Sequence, residues 1–384
     1  METVELRIDQ LAAGGDGVGR GPDGRVIFVA FTAPGDRVRV RVTQSRARFA
    51  HARVLALLEP GRDRFDPVCP VFGSCGGCAW QHVAYPAQLA AKARILEDAL
   101  RRIGGMQPPG TIAVEPSPSA YGYRSRTRVL VQAGRVGYRR RRSHAVCATD
   151  RCPVLLPALD EKLHELAQQR PPPRDGEWEL AWGDGQARAA SLAAPSDERI
   201  FLEVAGERVG ISPGVFAQSN ALLLPALAAR LLALAGAGGE ALELYAGAGC
   251  FTLPLARRFE RLVALEASPV AVRDLHANLR DAGIGSARVL GDTLENALES
   301  GALEALAPEA LVLDPPRAGL PEGAVRALAR LAPARVVYLS CDPATLARDV
   351  ALWVAQGYAL RSLEGFDLFP QTPHVEALAL LEPA

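Results

Sequence analysis

The chain has 384 residues, 49% of them hydrophobic, and its 43 basic and 43 acidic residues cancel to a net charge of zero. That is enough apolar material for a sizeable core and enough length for two or three domains. The charged opening METVELRIDQ has no apolar core of a signal peptide, and no apolar run reaches the roughly 20 residues that cross a bilayer.

The longest such run, ALLLPALAARLLALAGAG, is broken by Pro225 and Arg230. The seven cysteines are odd in number and clustered, which argues against a disulfide framework and for a metal site plus free thiols in a reducing cytoplasm. The expected location is therefore cytoplasmic, with no membrane partner, and the expected state is a monomer.

Residues 1–58 alternate apolar and polar in VELRI, RVIFVAF, RVRVRV and ARVLALL, broken by GGDG, GPDG and APGD. This pattern predicts a small all-β barrel of the OB type, a fold that commonly binds oligonucleotides. From Arg37 to Leu58 there are six arginines and no acid, and from Pro116 to Thr149 eight more, again with no acid. One such run is ordinarily a solvated face; two in one half of a neutral chain suggest a surface for a polyanion.

Residues 59–205 open on CPVFGSCGGCAWQH, three cysteines in fourteen residues. A helix is expected over AQLAAKARILEDALRRIG, then further β segments and the break QQRPPPRDGE. By spacing alone, Cys75-x2-Cys78 with Cys147-x4-Cys152 would suit four-thiolate zinc and leave Cys69 over.

From 206 to the end, strands alternate with helices: ALELYAGAG, RLVALEAS, ARVLGD, ALVLDPP, RVVYLSCD and a closing VEALALLE. The expected fold here is α/β, a doubly wound and mostly parallel sheet. Gly247 and Gly249 would let the first strand turn sharply beneath a ligand. Glu266 follows Gly247 by 19 residues, about where an acid meets ribose hydroxyls in nucleotide-binding sheets. Cys250 replaces the third glycine of the dinucleotide fingerprint, which argues against NAD. Tyr245, Glu266, Asp292, Asp314 and Cys341 fall at successive strand ends and are expected to line one crevice. Any one acid there could be only a helix cap.

These pieces together resemble the RNA 5-methyluridine methyltransferases, class I S-adenosylmethionine enzymes, over essentially the whole length. The resemblance rests on GGDGVGR with RVIFVAFTAPGDRVRV (like a TRAM domain), CPVFGSCGGCAWQH, YGYRSR, GVFAQSN, LELYAGAGCFTLPLA, DPPRAGL, SCDPATLARD and HVEALALL in that order. It implies that Gln218, Tyr245, Glu266, Asp292 and Asp314 contact the methyl donor, and that the substrate is ribosomal or transfer RNA. Cys250 stands where many members carry asparagine.

For the metal, the resemblance implies a [4Fe–4S] cluster on Cys69, Cys75, Cys78 and Cys152, acting as a structural staple. The zinc set stays open at this point. So does a non-enzymatic RNA-binding protein, which would have no use for a strand-end cysteine paired with an acid. A radical S-adenosylmethionine methylthiotransferase would need a C-x3-C-x2-C triad, which the cysteine spacing does not supply.

The chemistry asks for two residues. C5 of uracil is a poor nucleophile, and a thiolate added at C6 makes it electron-rich. A base must later remove the C5 proton. Cys341 is the candidate nucleophile and Glu376 the candidate base, as in the family pattern.

Overall fold

The computed structural model describes residues 2–194 and 198–384. The first segment forms β1 (Thr3–Leu11), β2 (Gly17–Arg20), β3 (Val26–Val29), β4 (Arg37–Ser45) and β5 (Phe49–Glu59), closed into a barrel in the order β1-β2-β3-β5-β4. The strict alternation in RVRVRV explains the closure: Val38, Val40 and Val42 point inward with Ile8, Ile27 and Val29. The arginines between them point outward, yet they are not a free cationic stripe. Arg37 pairs with Glu59 at 2.6 Å and Arg39 with Glu5 at 2.7 Å, both acids lying outside the acid-free run.

A loop carrying three cysteines leads to α1 (Tyr85–Arg102), which has Pro86 in its first turn, where the missing N–H costs nothing. Then come β6 (Val114–Glu115), β7 (Arg126–Gln132), β8 (Arg135–Arg139), β9 (Val146–Ala148), α2 (Pro157–Gln168), β10 (Gly176–Gly183) and β11 (Gln186–Ser191). Five of these strands form a sheet in the order β11-β10-β7-β8-β9, and α2 covers it with Leu159, Leu163 and Leu166. A hairpin of β12 (Ile200–Val204) and β13 (Glu207–Ile211) follows.

The remaining elements are α3 (Leu224–Ala235), β14 (Gly238–Leu244), α4 (Thr252–Ala256), β15 (Phe259–Leu265), α5 (Pro269–Asp281), β16 (Ala287–Leu290), α6 (Leu294–Glu299), β17 (Ala310–Leu313), α7 (Ala324–Ala329), β18 (Arg335–Ser340), α8 (Pro343–Ala355), β19 (Tyr358–Phe366) and β20 (Glu376–Pro383). The sheet order is β16-β15-β14-β17-β18-β20-β19-β6, parallel from β16 to β18 and antiparallel around β20. Two apolar clusters cover its two faces. Strand order reverses between β14 and β17, the switch point outside which such sheets bind ligands. The edge strand β6 comes from inside residues 59–205, and α1 packs on α8, so the middle segment is stitched into this sheet.

The loop of residues 367–375, between β19 and β20, is where the parts meet. The backbone amides of Ala79 and Trp80, just past Cys78, both donate to the Gln371 carbonyl at 3.0 and 2.9 Å. Gln88 exchanges two hydrogen bonds with Gln371, each 2.9 Å. Tyr123 Oη donates to Pro370 O, and Asn220 Nδ2 to Leu368 O. The fully buried Lys92 pairs with the fully buried Asp367. A loop so held presents the next residue, Glu376, in one place.

Candidate active site

The chain leaves β14 at Tyr245, whose φ of 63° is left-handed, and turns through Gly247 (φ 58°) and Gly249 (φ 99°). A Cβ on Gly249 would lie 2.6 Å from Leu275 and 2.9 Å from Leu253, so only glycine fits there. The Gly247 amide donates to Glu266 Oε2 at 2.8 Å, and the Ser268 amide to Oε1 at 2.7 Å. Tyr245, Glu266 and Asp292, with Thr293, Pro316 and Gly319, line one crevice of about 410 Å³ at the switch point. Asp292 also accepts from the Thr293 amide and Asn296 Nδ2, so it braces the start of α6 as well.

Gln218 and Asp314 do not line that crevice. They form a neighbouring pair, with Gln218 Nε2 donating to Asp314 Oδ2 at 3.4 Å, and Asp314 faces Cys341 and Glu376. The predicted single crevice is thus a donor-sized cleft with a second group of acids beside it.

That second group is set by register. In the antiparallel pairing of β18 with β20, Ser340 lies opposite Ala377, so the next residues outward, Cys341 and Glu376, face each other. Glu376 is only 3% exposed. Burial, then the charge of Asp314, pushes its carboxyl up to about 8, while Arg317 works the other way. Its Oε2 has no hydrogen-bond partner among the described residues, which leaves it free for a substrate group. Burial likewise pushes Asp314 up to about 7, against the hydrogen bond from Gln218.

The Cys341 thiol is pushed up to about 11 by burial, then by the charge of Glu376; Arg317 opposes both, by charge and by a hydrogen bond to the sulfur. Asp342, next in sequence, accepts from the Ala344 and Thr345 amides and caps α8 instead. The guanidinium of Arg317 also sits 3.3 Å from His374 Nε2. Burial and Arg317 hold His374 down at about 4, so its ring is neutral and accepts that hydrogen bond.

Sequence reasoning missed Arg317, although it closes the very DPPR stretch that supplied Asp314. It also missed Glu243 on β14, which burial pushes up to about 8 behind Asp314 and Glu266. Cys250 packs beside Glu243 and against the apolar core, and burial holds its thiol up at about 12.

A family model described as tRNA (Uracil-5-)-methyltransferase matches residues 202–384, and a TRAM domain model matches residues 1–55. The chain is 35% identical to the 23S rRNA (uracil(1939)-C(5))-methyltransferase RlmD of Pseudomonas putida, over 98% of this chain and 93% of that one. It is 34% identical to an RNA methyltransferase of Thermosynechococcus vestitus, over 99% and 98% of the two chains. This chain belongs to the RNA uracil-5-methyltransferase family. The enzyme is an S-adenosylmethionine-dependent RNA (uracil-5-)-methyltransferase with an N-terminal TRAM barrel. Its fold matches that of the Pyrococcus abyssi tRNA (uracil-54, C5)-methyltransferase, solved with S-adenosyl-L-homocysteine, at a TM-score of 0.77 and 24% identity, over 98% of this chain and 100% of that one.

A second cavity lies in the methyltransferase's middle segment. Cys69, Cys75, Cys78 and Cys152 line it, with Tyr123 and Arg124, around about 320 Å³. Cys147 does not; it is buried in β9, paired in register with Tyr138. Burial pushes Cys75 up to about 12 and Cys78 to about 11, and raises Cys69 and Cys152. Among the described residues, no group of three or more His, Cys, Asp or Glu side chains converges closely enough for a single metal ion.

The second arginine run is also partly neutralised. Arg126 is buried against Glu179 at 2.6 Å, and Arg139 pairs with Glu177 at 2.7 Å.

Proposed function

We propose that the methyltransferase acts on a uridine of ribosomal RNA through a covalent bond between Cys341 and C6 of the base, with Glu376 as the base that ends the cycle. The observation that carries this reading is the β18–β20 register, which sets the thiol opposite a buried carboxyl with an unpartnered oxygen. Arg317 supports it as a cation that opposes the effect of burial on the thiol.

The donor is bound through the crevice at the switch point. Tyr245, Glu266 and Asp292 line it, and the Gly247–Gly249 turn lets the backbone approach closely. S-adenosylmethionine is a sulfonium cation. Beside Asp314 and Glu376 it adds positive charge, which favours both carboxylates and the Cys341 thiolate. The order of events follows. The thiolate adds to C6 and the C5–C6 electrons move onto the O4 enolate; C5 takes the methyl and the sulfur leaves with the bonding pair. Glu376 then accepts the C5 proton, and the C6–S bond breaks to restore the thiolate and the aromatic ring.

Ribosomal RNA is favoured because relatives matching nearly the full length, from Pseudomonas putida and Alkalilimnicola ehrlichii, are named as enzymes for uracil 1939 of 23S rRNA. Incubating the protein with labelled S-adenosylmethionine and total RNA from a strain lacking the gene should place the label on C5 of one 23S uridine. Label confined to tRNA would overturn the ribosomal assignment; label on a base other than uracil would overturn the reaction.

The cysteine cavity fits a four-iron cluster better than zinc. Each thiolate around such a cluster binds a different iron, so four sulfurs can ring a cavity without converging on one point. The set that lines the cavity includes Cys69 and excludes Cys147, the reverse of the zinc set. Iron would supply the positive charge that makes four half-buried thiols ionise. Its role here would be to fix the loop whose Ala79 and Trp80 amides grip Gln371. Protein purified without oxygen should be brown with roughly four irons per chain. Cys69→Ser should lose the iron and Cys147→Ser keep it; stoichiometric zinc with no iron would sink the assignment.

A further inference from the structure

The outer wall of the barrel carries rings where polar residues are expected. In β3 and β5, Ile27, Val29, Ala50 and Ala52 fill the barrel, so the alternation turns Phe28, Phe49, His51 and Arg53 outward. Phe28 and His51 are register partners on the two parallel strands. Their rings stack at 5.3 Å and 28°. Phe49, 38% exposed, stands edge-on to both, at 6.0 and 5.7 Å. Among the described residues, no apolar core cluster includes this triad.

Across from it lies the turn of residues 140–143 from the middle segment. Between the two is a cleft of about 660 Å³ lined by Phe28, His51, Arg53, Arg141 and Arg142 among others. Its one acid, Asp16, is taken by Arg141 at 3.1 Å, and that guanidinium also stacks on Phe31 at 4.6 Å. Arg53 and Arg142 are exposed and make no ion pair among the described residues. Arg142 is held at a φ of 55°, a left-handed conformation that an arginine adopts at some cost. A cleft with an aromatic floor and two uncompensated cations at its rim matches one ligand chemistry: a flat base with phosphates on either side.

We propose that this cleft, which shares no residue with the donor crevice, holds one unpaired nucleotide of the RNA at a distance from the target uridine, its base on Phe28 and His51 and its phosphates on Arg53 and Arg142. The proposal takes its ligand class from RNA being the substrate. Holding a second splayed nucleotide would fix the RNA loop against the barrel and offset part of the cost of unstacking the target base.

The test uses a short oligocytidylate, which offers no uracil to methylate, so its outcome is independent of the methylation result. Phe28→Leu combined with His51→Ala removes both flat faces and should weaken oligocytidylate binding about tenfold. Arg142→Gly suits the left-handed turn, so it should fold, and it should flatten the salt dependence of binding by about 0.7 in slope. S-adenosylmethionine affinity should be unchanged in both. In the unaltered protein, oligocytidylate carrying 5-iodocytidine should photo-crosslink to the peptide that holds Phe49 and His51. Should the double variant fail to fold, the crosslink and the Arg142→Gly slope still decide. Unchanged affinity and slope, or crosslinks only elsewhere, would overturn the proposal. So would polyglutamate competing as well as RNA, which would mark the cleft as a seat for an acidic protein segment.

Discussion

Cys341→Ala is expected to bring methyl transfer to background, a loss of several orders of magnitude, with S-adenosylmethionine binding intact. The two parts of the result have separate physical causes. Without the thiol, C5 stays a poor nucleophile, and the neighbours are poor replacements: burial pushes the Asp314 and Glu376 carboxyls up to about 7 and about 8, and Cys250 packs against the core. The donor, by contrast, meets Tyr245, Glu266 and Asp292 in a crevice that Cys341 does not line. Equilibrium binding of labelled donor and a gel for covalent RNA–protein adducts read the two halves. Residual turnover within about tenfold of the unaltered enzyme would show that no covalent step at Cys341 is needed.

The thiol's surroundings explain how much of this site could be read in one dimension. Cys341 and Glu376 stood out because each sits in a short motif at a strand end, and strand ends are visible as the last apolar residue of a run. That they face each other depends on β20 running antiparallel beside β18, a pairing between strands with a helix and another strand between them in sequence. Arg317 was invisible for the same reason. It lies in the loop after β17, and its contacts with Cys341 and His374 exist only once three separate segments are folded together.

The arginine runs are only partly neutralised by the fold. Six and eight arginines with no intervening acid read as two cationic faces, yet Glu5, Glu59, Glu177 and Glu179 come from other strands to pair with Arg37, Arg39, Arg126 and Arg139. Charge patterning along a chain counts neighbours in sequence, whereas a sheet brings residues tens of positions apart to within about 5 Å across the ladder. Among the described residues Arg37, Arg39, Arg126, Arg139 and Arg141 are the paired members of the two runs, and of the rest Arg53 and Arg142 meet at one cleft. The barrel and the doubly wound sheet were legible because alternation and strand–helix periodicity are local. The joining of the parts, through Gln371, Lys92 and the edge strand β6, is not.

Glu376→Gln should separate the last step of the cycle from those before it. Glutamine has nearly the same shape, and since burial pushes the Glu376 carboxyl up to about 8, a neutral side chain resembles its resting form at neutral pH. The variant should therefore fold with the same β18–β20 register. Attack by Cys341 should proceed, because glutamine, like the protonated Glu376, places no negative charge beside the thiol. Methyl transfer should follow, since it needs the enolate and the donor but no base. The C5 proton then has nowhere to go. A covalent RNA–protein adduct carrying the labelled methyl group should accumulate as a shifted band, and turnover should fall by about 10²–10⁴. The same burial sets a sign for pH. In the unaltered enzyme turnover should climb as pH rises through about 8, where Glu376 ionises, on top of the rise set by the Cys341 thiol, and the glutamine variant should keep only the thiol's share. Native turnover with no trapped adduct would mean that another group takes the proton, and the nearest buried carboxyl facing Glu376 is Asp314.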